Sequence, residues 1–288
     1  MRSAISVAAI AACASVAVAR PQEGHVRCAA SPSDSFVQKA SKMALDEADD
    51  LFNNFHMADE TIEIDTYFHV VASDEAESSN TTDQMLNDQI DVLNTSYEPH
   101  GIQFNLVNIS RTVDANWAVD GAELDMKKSL RQGGYDSLNV YYMKEIGGNL
   151  GYCYFPDDIE EGSPDFIRDG CSVLATTVPG GSTDQYNLGG TTTHEVGHFL
   201  GLFHTFQGGC SGAGDEVADT PAQSSPSSGC PTNRDSCPGQ EGADPIHNYM
   251  DYSIDECYEE FTPGQEKRMI NMWNTYRAPG ARGFHPIH

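Results

Sequence analysis

Beyond residue 60 the apolar positions of this chain fall into two alternating periods. Thr61 to Ala72 (TIEIDTYFHVVA), Ile102 to Val113, Ser137 to Ile146 and Cys171 to Val178 are rich in β-branched and aromatic residues, and each predicts a strand. Between the first two, Thr82 to Tyr97 places Met85, Leu86, Ile90 and Leu93 at helical spacing; Ala122 to Arg131 predicts a second helix ending near Gly133-Gly134. This β-α-β-α-β order predicts an α+β domain built on a twisted mixed sheet with helices packed against it. Upstream, Ser33 to Asn53 spaces Phe36, Ala40, Met43, Ala44 and Leu51 as one face of an amphipathic helix, capped by Asp34 or Ser35. After His204 periodicity fails and Gly, Pro and Ser dominate, so cysteines and ions must stand in for a regular core. A last helix runs from Pro263 to about Tyr276, with Thr262 as cap and Glu266 at its third position. The tail from Ala278 to His288 is rich in Gly and Pro and reads as loose, with His285 and His288 as surface histidines.

The start of the chain changes the compartment. Residues 1–19 carry Arg2, an apolar run and Ala17-Val18-Ala19, the pattern of a secretory signal cleaved after Ala19. That run is too short to span a bilayer comfortably, and no other long apolar run exists, so a secreted chain without a membrane anchor is expected. Residues 20–60 form a polar, acidic N-terminal segment, and residues 61–288 the folded domain. With 43 acidic against 16 basic residues the formal charge is −27, which argues against nucleic acid or anionic membrane as partners.

Eight cysteines fit an oxidising compartment. Cys13 leaves with the signal. Cys153, Cys171, Cys210, Cys230, Cys237 and Cys257 lie in the domain, and Cys28 stands alone, so one thiol lacks an internal partner. Six cysteines allow fifteen connectivities, and spacing alone does not choose. Proximity favours Cys153–Cys171. Three sequons, at Asn80, Asn94 and Asn108, offer glycan sites in a secreted chain; Asn80 sits in the most loop-like surroundings.

The densest chemistry lies in Thr193-His194-Glu195-Val196-Gly197-His198-Phe199-Leu200-Gly201-Leu202-Phe203-His204. On a helix His194 and His198 are one turn apart and leave the same face. Gly201 permits a sharp turn that returns His204 as a third nitrogen. Three imidazoles leave a fourth position open on a Zn²⁺ ion, the pattern of a catalytic site, and Glu195 lies beside it as general base.

The motif H-E-x-x-H-x-x-G-x-x-H resembles that of the metzincin metalloproteases. Asn248-Tyr249-Met250-Asp251-Tyr252 fits their Met-turn, and Gly214-Asp215-Glu216-Val217-Ala218-Asp219-Thr220-Pro221 with Glu260-Phe261-Thr262-Pro263-Gly264-Gln265 resembles the pappalysin branch (M43-type), in particular its small secreted fungal members. The resemblance spans roughly Ile62 to Met272. It implies a metzincin-like fold, with an upper subdomain over 61–204, an active-site cleft, and a loop-rich, disulfide-braced lower subdomain over 205–288. It implies a secreted, monomeric zinc endopeptidase acting on proteins or peptides. Met250 would floor the zinc site, and Tyr252 would add a phenol hydrogen bond to the oxyanion, or be a packed aromatic. Cys230–Cys257 and Cys210–Cys237 follow from the same resemblance. So does a calcium site at Asp215, Glu216, Asp219 and Thr220, a solvated acidic loop being the alternative. Near Gly147 to Pro156 the family receives substrate as an added strand. Asp255 and Glu256 fall where it builds the pocket wall beyond the cleaved bond, and a carboxylate there would favour Arg or Lys. Val26-Arg27-Cys28 resembles the cysteine region of fungal pappalysin-like precursors, although Ala29 replaces their glycine. That makes residues 20–60 a candidate propeptide, with Cys28 as latency thiol, or a flexible leader whose cysteine oxidises. Two other classes remain open: a zinc exopeptidase or amidase, and a non-catalytic binding protein.

Overall fold

The structure, a computed structural model, describes residues 26–53, 61–281 and 283–285. The leader at 1–19 and the junction near residue 60 lie outside the described residues. A six-stranded sheet runs in the order β1-β5-β7-β4-β2-β3. Its strands are β1 Val26–Cys28, β2 Ile62–Ala72, β3 Ile102–Val113, β4 Leu138–Met143, β5 Asn149–Cys153 and β7 Cys171–Leu174. All neighbours pair parallel except β5 with β7. β6 Ile159–Glu160 and β8 Phe284–His285 form a separate two-stranded ladder. The sheet is therefore mixed, and β5, in the Gly147 to Pro156 stretch where the resemblance implies a strand-binding edge, is a reversed strand near the sheet's edge.

Alternation along the central strands builds two cores. Phe68 and Val70 of β2, with Leu138, Val140 and Tyr142 of β4, face α3 Asp83–Tyr97 and α6 Gly190–Phe199. Val71, Tyr141 and Met143 point the other way, onto Met126 of α4 Glu123–Leu130. Every β4 residue is buried, as expected of a parallel strand covered on both faces. The stripe Leu86, Ile90, Leu93, Tyr97 seats α3 on the sheet, and Thr82 caps it by accepting from the Met85 amide. The short helices α2 Glu75–Asn80 and α5 Pro164–Arg168 lie in connections.

Two caps differ from the sequence reading. α1 Asp34–Asn53 is closed by the Ser33 hydroxyl, which accepts from the Phe36 amide at 3.1 Å. α7 Pro263–Met272 has a capping box of Thr262 with Gln265, because Pro263 is its first residue and Gln265, not Glu266, its third. Glu266 pairs instead with His100, 2.9 Å away. After Met272 the helix widens into a π-helical turn over Trp273–Arg277.

Among the described residues, the stretch between α6 and α7 contains only one short 3₁₀ turn, Asp255–Cys257. Three disulfides are formed: Cys153–Cys171, joining paired positions of β5 and β7, and Cys210–Cys237 and Cys230–Cys257 in the loops. Buried polar side chains do the rest. Gln223 accepts from Thr205 and donates to Asp251, and Asp244 pairs with Arg234. No helix among the described residues is long and apolar enough to cross a membrane.

One buried ion pair fixes the C-terminal end of α6. Arg277 donates to both Asp169 oxygens, at 2.8 and 3.1 Å, and to the Phe199 carbonyl at 2.9 Å. Both partners are essentially without solvent, so removing the carboxylate strands a guanidinium in the core. Asp169→Ala is expected to destabilise the fold by about 3–5 kcal/mol in chemical denaturation; a loss below about 1 kcal/mol would show that the pair is not the anchor.

Candidate active site

α6 is buried along its whole length. It begins at Gly190. Gly189 before it has φ 90°, and its carbonyl accepts from Gln89 of α3. The Tyr97 hydroxyl donates to Thr193 O at 2.8 Å, so α3 holds the helix at two points. At the other end Gly201 has φ 92°. Its amide donates to His198 O, and the Leu202 amide donates to Gly197 O, both at 2.9 Å. This is a Schellman turn, and the left-handed residue is what makes it. The chain reverses there and returns His204 against the helix.

The three imidazoles are pre-oriented. His194 Nδ1 donates to Tyr249 O and His198 Nδ1 to Leu202 O, each at 2.7 Å. A carbonyl only accepts, so both Nε2 atoms carry lone pairs. His194 Nε2 is buried with no partner. His198 Nε2 and His204 Nε2 lie 3.1 Å apart. Burial pushes His198 down to about 4 and His194 and His204 well below the usual histidine range; the neighbouring imidazoles press His194 and His204 the same way. Neutral nitrogens crowded at this spacing suit a cation between them. The Cys28 thiol joins the set: ligand atoms of Cys28, His194, His198 and His204 all fall within 4.8 Å of one another. Three imidazoles and a thiol form a donor set that suits zinc.

Glu195 is fully buried beside them. Its Oε2 accepts from the Cys28 thiol at 3.3 Å, and Oε1 has no partner. Burial raises its carboxyl to about 8 and raises the Cys28 thiol as well. A Cβ on Gly151 would stand 2.7 Å from Glu195 Cγ and Oε1, so only glycine lets β5 pass this closely over the carboxylate. Nothing local to either residue signals that contact.

Beneath the histidines lies Met250. A Cβ on Gly197 would be 2.3 Å from its sulfur, which explains the glycine inside the motif. Met250 is held through its backbone: its amide donates to Asn248 Oδ1 at 3.0 Å, and the Asn248 amide group exchanges hydrogen bonds with Gln265 at 2.7 and 3.0 Å. The turn therefore hangs from the capping box of α7. Tyr252 packs on His204 and Phe206, 5.0 and 4.8 Å between ring centres, and its hydroxyl donates to Cys28 O at 2.9 Å. Phe206 in turn stacks on His204 at 4.8 Å, a contact the motif alone did not reveal.

The N-terminal segment fills the cleft. β1 pairs parallel with β5, Cys28 opposite Gly151. Arg27 enters a buried pocket, donating to Asp255 Oδ1 at 2.9 Å and to Ser253 O at 2.6 Å, with its guanidinium over the rings of Tyr186 and Tyr258. Asp255 Oδ2 accepts from the amides of Leu188 and Gly190 at the start of α6. Glu256 is exposed and lines nothing here.

With this geometry, comparison with known proteins is informative. Residues 132–274 match the Peptidase_M43 family model, described as pregnancy-associated plasma protein-A. The chain is 57% identical over 274 residues to an extracellular metalloprotease of Colletotrichum graminicola, covering 94% of this chain and 98% of that protein. It is 55% identical over 279 residues to extracellular metalloprotease 1 of Coccidioides posadasii, covering 96% and 99%. The chain belongs to the M43 metalloprotease family. Among solved structures, mature mirolysin of Tannerella forsythia in complex with a cleaved peptide superposes with TM-score 0.64 at 29% identity, covering 76% of this chain and 93% of that one. A promirolysin mutant superposes with TM-score 0.66 at 26% identity, covering 87% and 94%. The metzincin-like α+β architecture is thereby shown.

Elsewhere in this M43 chain the predicted sites divide. Asp215 is buried with Oδ2 unpartnered, and Thr220 Oγ1 is likewise unpartnered. They border a cleft of about 480 Å³. The other two expected calcium donors are engaged otherwise. Asp219 accepts from the Thr262 hydroxyl and the Gly264 amide, capping α7, and Glu216 Oε1 accepts from Ser41. The four residues thus do not converge as one set. Of the sequons, Asn80 and Asn108 are exposed. Asn94 is not free: its amide nitrogen, the atom a glycan would need, donates to Phe104 O, and its oxygen accepts from Phe104 N.

Proposed function

We propose that this chain is a secreted zinc endopeptidase that folds with residues 20–60 as an inhibitory prosegment. The observation that carries this is the convergence of three imidazole nitrogens beside a buried carboxylate, in a cleft that a strand crosses from one side to the other. His194, His198 and His204 would hold one Zn²⁺, which supplies Lewis acidity and an acidified water. Glu195, beside that position, takes the proton of the attacking water and hands it to the departing amine. Tyr252, whose hydroxyl already donates to a backbone carbonyl, is placed to donate to the developing oxyanion. β5 binds substrate backbone along its free edge, and the chain would run antiparallel there, opposite to β1. Asp255 receives a basic side chain on the C-terminal side of the cleaved bond; the seating of Arg27 supports this. Met250 is a floor for the imidazoles.

The prosegment blocks each of these functions. Cys28 would take the remaining zinc position, Tyr252 is engaged by the Cys28 carbonyl, and Arg27 fills the basic pocket. The segment occupies the cleft on both sides of the histidines, from Arg27 to Phe36, and a site that accepts chain on both sides favours an endopeptidase over an exopeptidase. Secretion through residues 1–19, a monomeric state, and glycans at Asn80 and Asn108 complete the reading, and mass spectrometry of the secreted protein would expose an uncleaved leader or bare asparagines. A calcium ion at the lower loops would draw on Asp215 and Thr220. Added calcium should then raise the Tm of the parent and not of Asp215→Asn; equal behaviour removes the ion.

Cleavage of a denatured generic protein tests the central reading. After proteolytic removal of residues 20–60 from the folded chain, chelator-sensitive cleavage is expected, with Arg or Lys following the cut. Glu195→Ala should lower the rate by at least about 10²-fold while zinc stays bound. Undiminished cleavage with 1,10-phenanthroline or in the mutant contradicts the mechanism. A peptide-library profile without basic preference removes the role of Asp255.

A further inference from the structure

The N-terminal segment does not end at the histidines. From Arg27, near the start of α6, it passes Cys28 at the triad and continues to Phe36, near the end of α6. Phe36 is 1% exposed. Its ring lies 5.0 Å from Phe155 and 5.7 Å from Phe203, and Phe155 itself lies 5.1 Å from the His198 ring. Tyr135, Ile159 and Tyr276 close the pocket around it. These five residues belong to the domain and remain when the segment leaves, whereas Val37, Ala40 and Met43 of α1, which complete the same cluster, go with it.

Its position along the cleft follows from the order of contacts. Phe155 lies two residues beyond the end of β5, so a strand laid on β5 is led toward it. The ring contacts place Phe36 within about 10 Å of His198, roughly three residues of extended chain at about 3.3 Å each. Arg27 marks the opposite side of the triad. An aromatic ring that hides its surface in a pocket lined by rings gains both from burial and from edge contacts. A cleft of about 450 Å³ lies between the segment, at Ala29 to Phe36, and the domain wall at Tyr154, Phe155 and Ile159, so the segment's departure widens the path that leads to the pocket.

We infer that, once the segment leaves, the pocket of Phe155, Phe203, Tyr135, Ile159 and Tyr276 is a specificity subsite for an aromatic side chain two or three residues before the cleaved bond. This rests on the endopeptidase reading for its orientation. Phe36 is then a stand-in for a substrate side chain, as Arg27 is on the other side. The two pockets together select substrates with an aromatic residue upstream and a basic residue just after the cut.

The test uses zinc-loaded chain processed from the folded full-length protein, and quenched-fluorescence peptides of one sequence with Arg after the cut. Phe or Ala is placed at the second or the third position before it. Phe is expected to exceed Ala in kcat/KM by about tenfold or more at one of the two positions, and Phe155→Ala should bring that ratio near one. Equal rates within twofold at both positions would overturn the assignment. The same peptides are titrated onto the processed Glu195→Ala chain by anisotropy, which reads the pocket without chemistry. Tighter binding of the Phe peptide by a similar factor supports the subsite even where the parent cuts nothing, an outcome that sinks the endopeptidase reading alone. Equal affinities sink the subsite.

Discussion

Everything in this molecule depends on keeping three neutral imidazoles together inside a solvent-free space. Burial, with the neighbouring imidazoles, keeps them neutral, but it does not aim them. Aiming comes from two backbone carbonyls, Tyr249 O and Leu202 O, which take the Nδ1 protons and turn the Nε2 lone pairs inward. Each carbonyl needs its own support. Leu202 is placed by the Schellman turn at Gly201, and Tyr249 by the Asn248–Gln265 exchange at the start of α7. The helix between them is pinned at its ends by Asp255 and Arg277. The histidine set is thus a property of the assembled fold, although its letters are contiguous.

The same economy governs the cleft. β5 passes closely over Glu195, which Gly151 alone permits. A free strand edge beside a reactive centre invites pairing with any extended chain. Here the chain's own β1 takes that edge, and in the parallel sense. Under the proposed endopeptidase function, a peptide lying in reverse brings its carbonyls to the wrong places for attack, so a segment would fill the cleft with substrate-like side chains and not be a substrate. α1 then fastens the segment: Glu47 accepts from Arg268 at 2.8 and 2.9 Å, and from Asn271.

What the sequence made legible was local. The strands and α3 show in alternation and helical stripe because each buries one defined face. The histidine motif shows because one helical turn and one glycine fix its geometry. Cys153–Cys171 was readable from proximity, and the strand register puts the two opposite each other. What stayed hidden was long-range. Arg27 and Asp255 are 228 residues apart, and nothing local links them. Gly151 gave no hint of Glu195, nor Phe36 of Phe155. Asp219 stands among acidic neighbours, and nothing local shows that it caps a helix whose first residue lies 44 positions on. Asn94 satisfied a sequon pattern that says nothing of where its amide points.

The central claim is that the three histidines and Cys28 hold one zinc ion in the full-length chain. X-ray absorption at the zinc edge, on stoichiometrically loaded protein, tests it directly. Three nitrogen neighbours and one sulfur are expected, the sulfur giving way to oxygen in Cys28→Ser and after removal of the segment. A first shell with no sulfur in the full-length chain, or with more than one, would contradict the account.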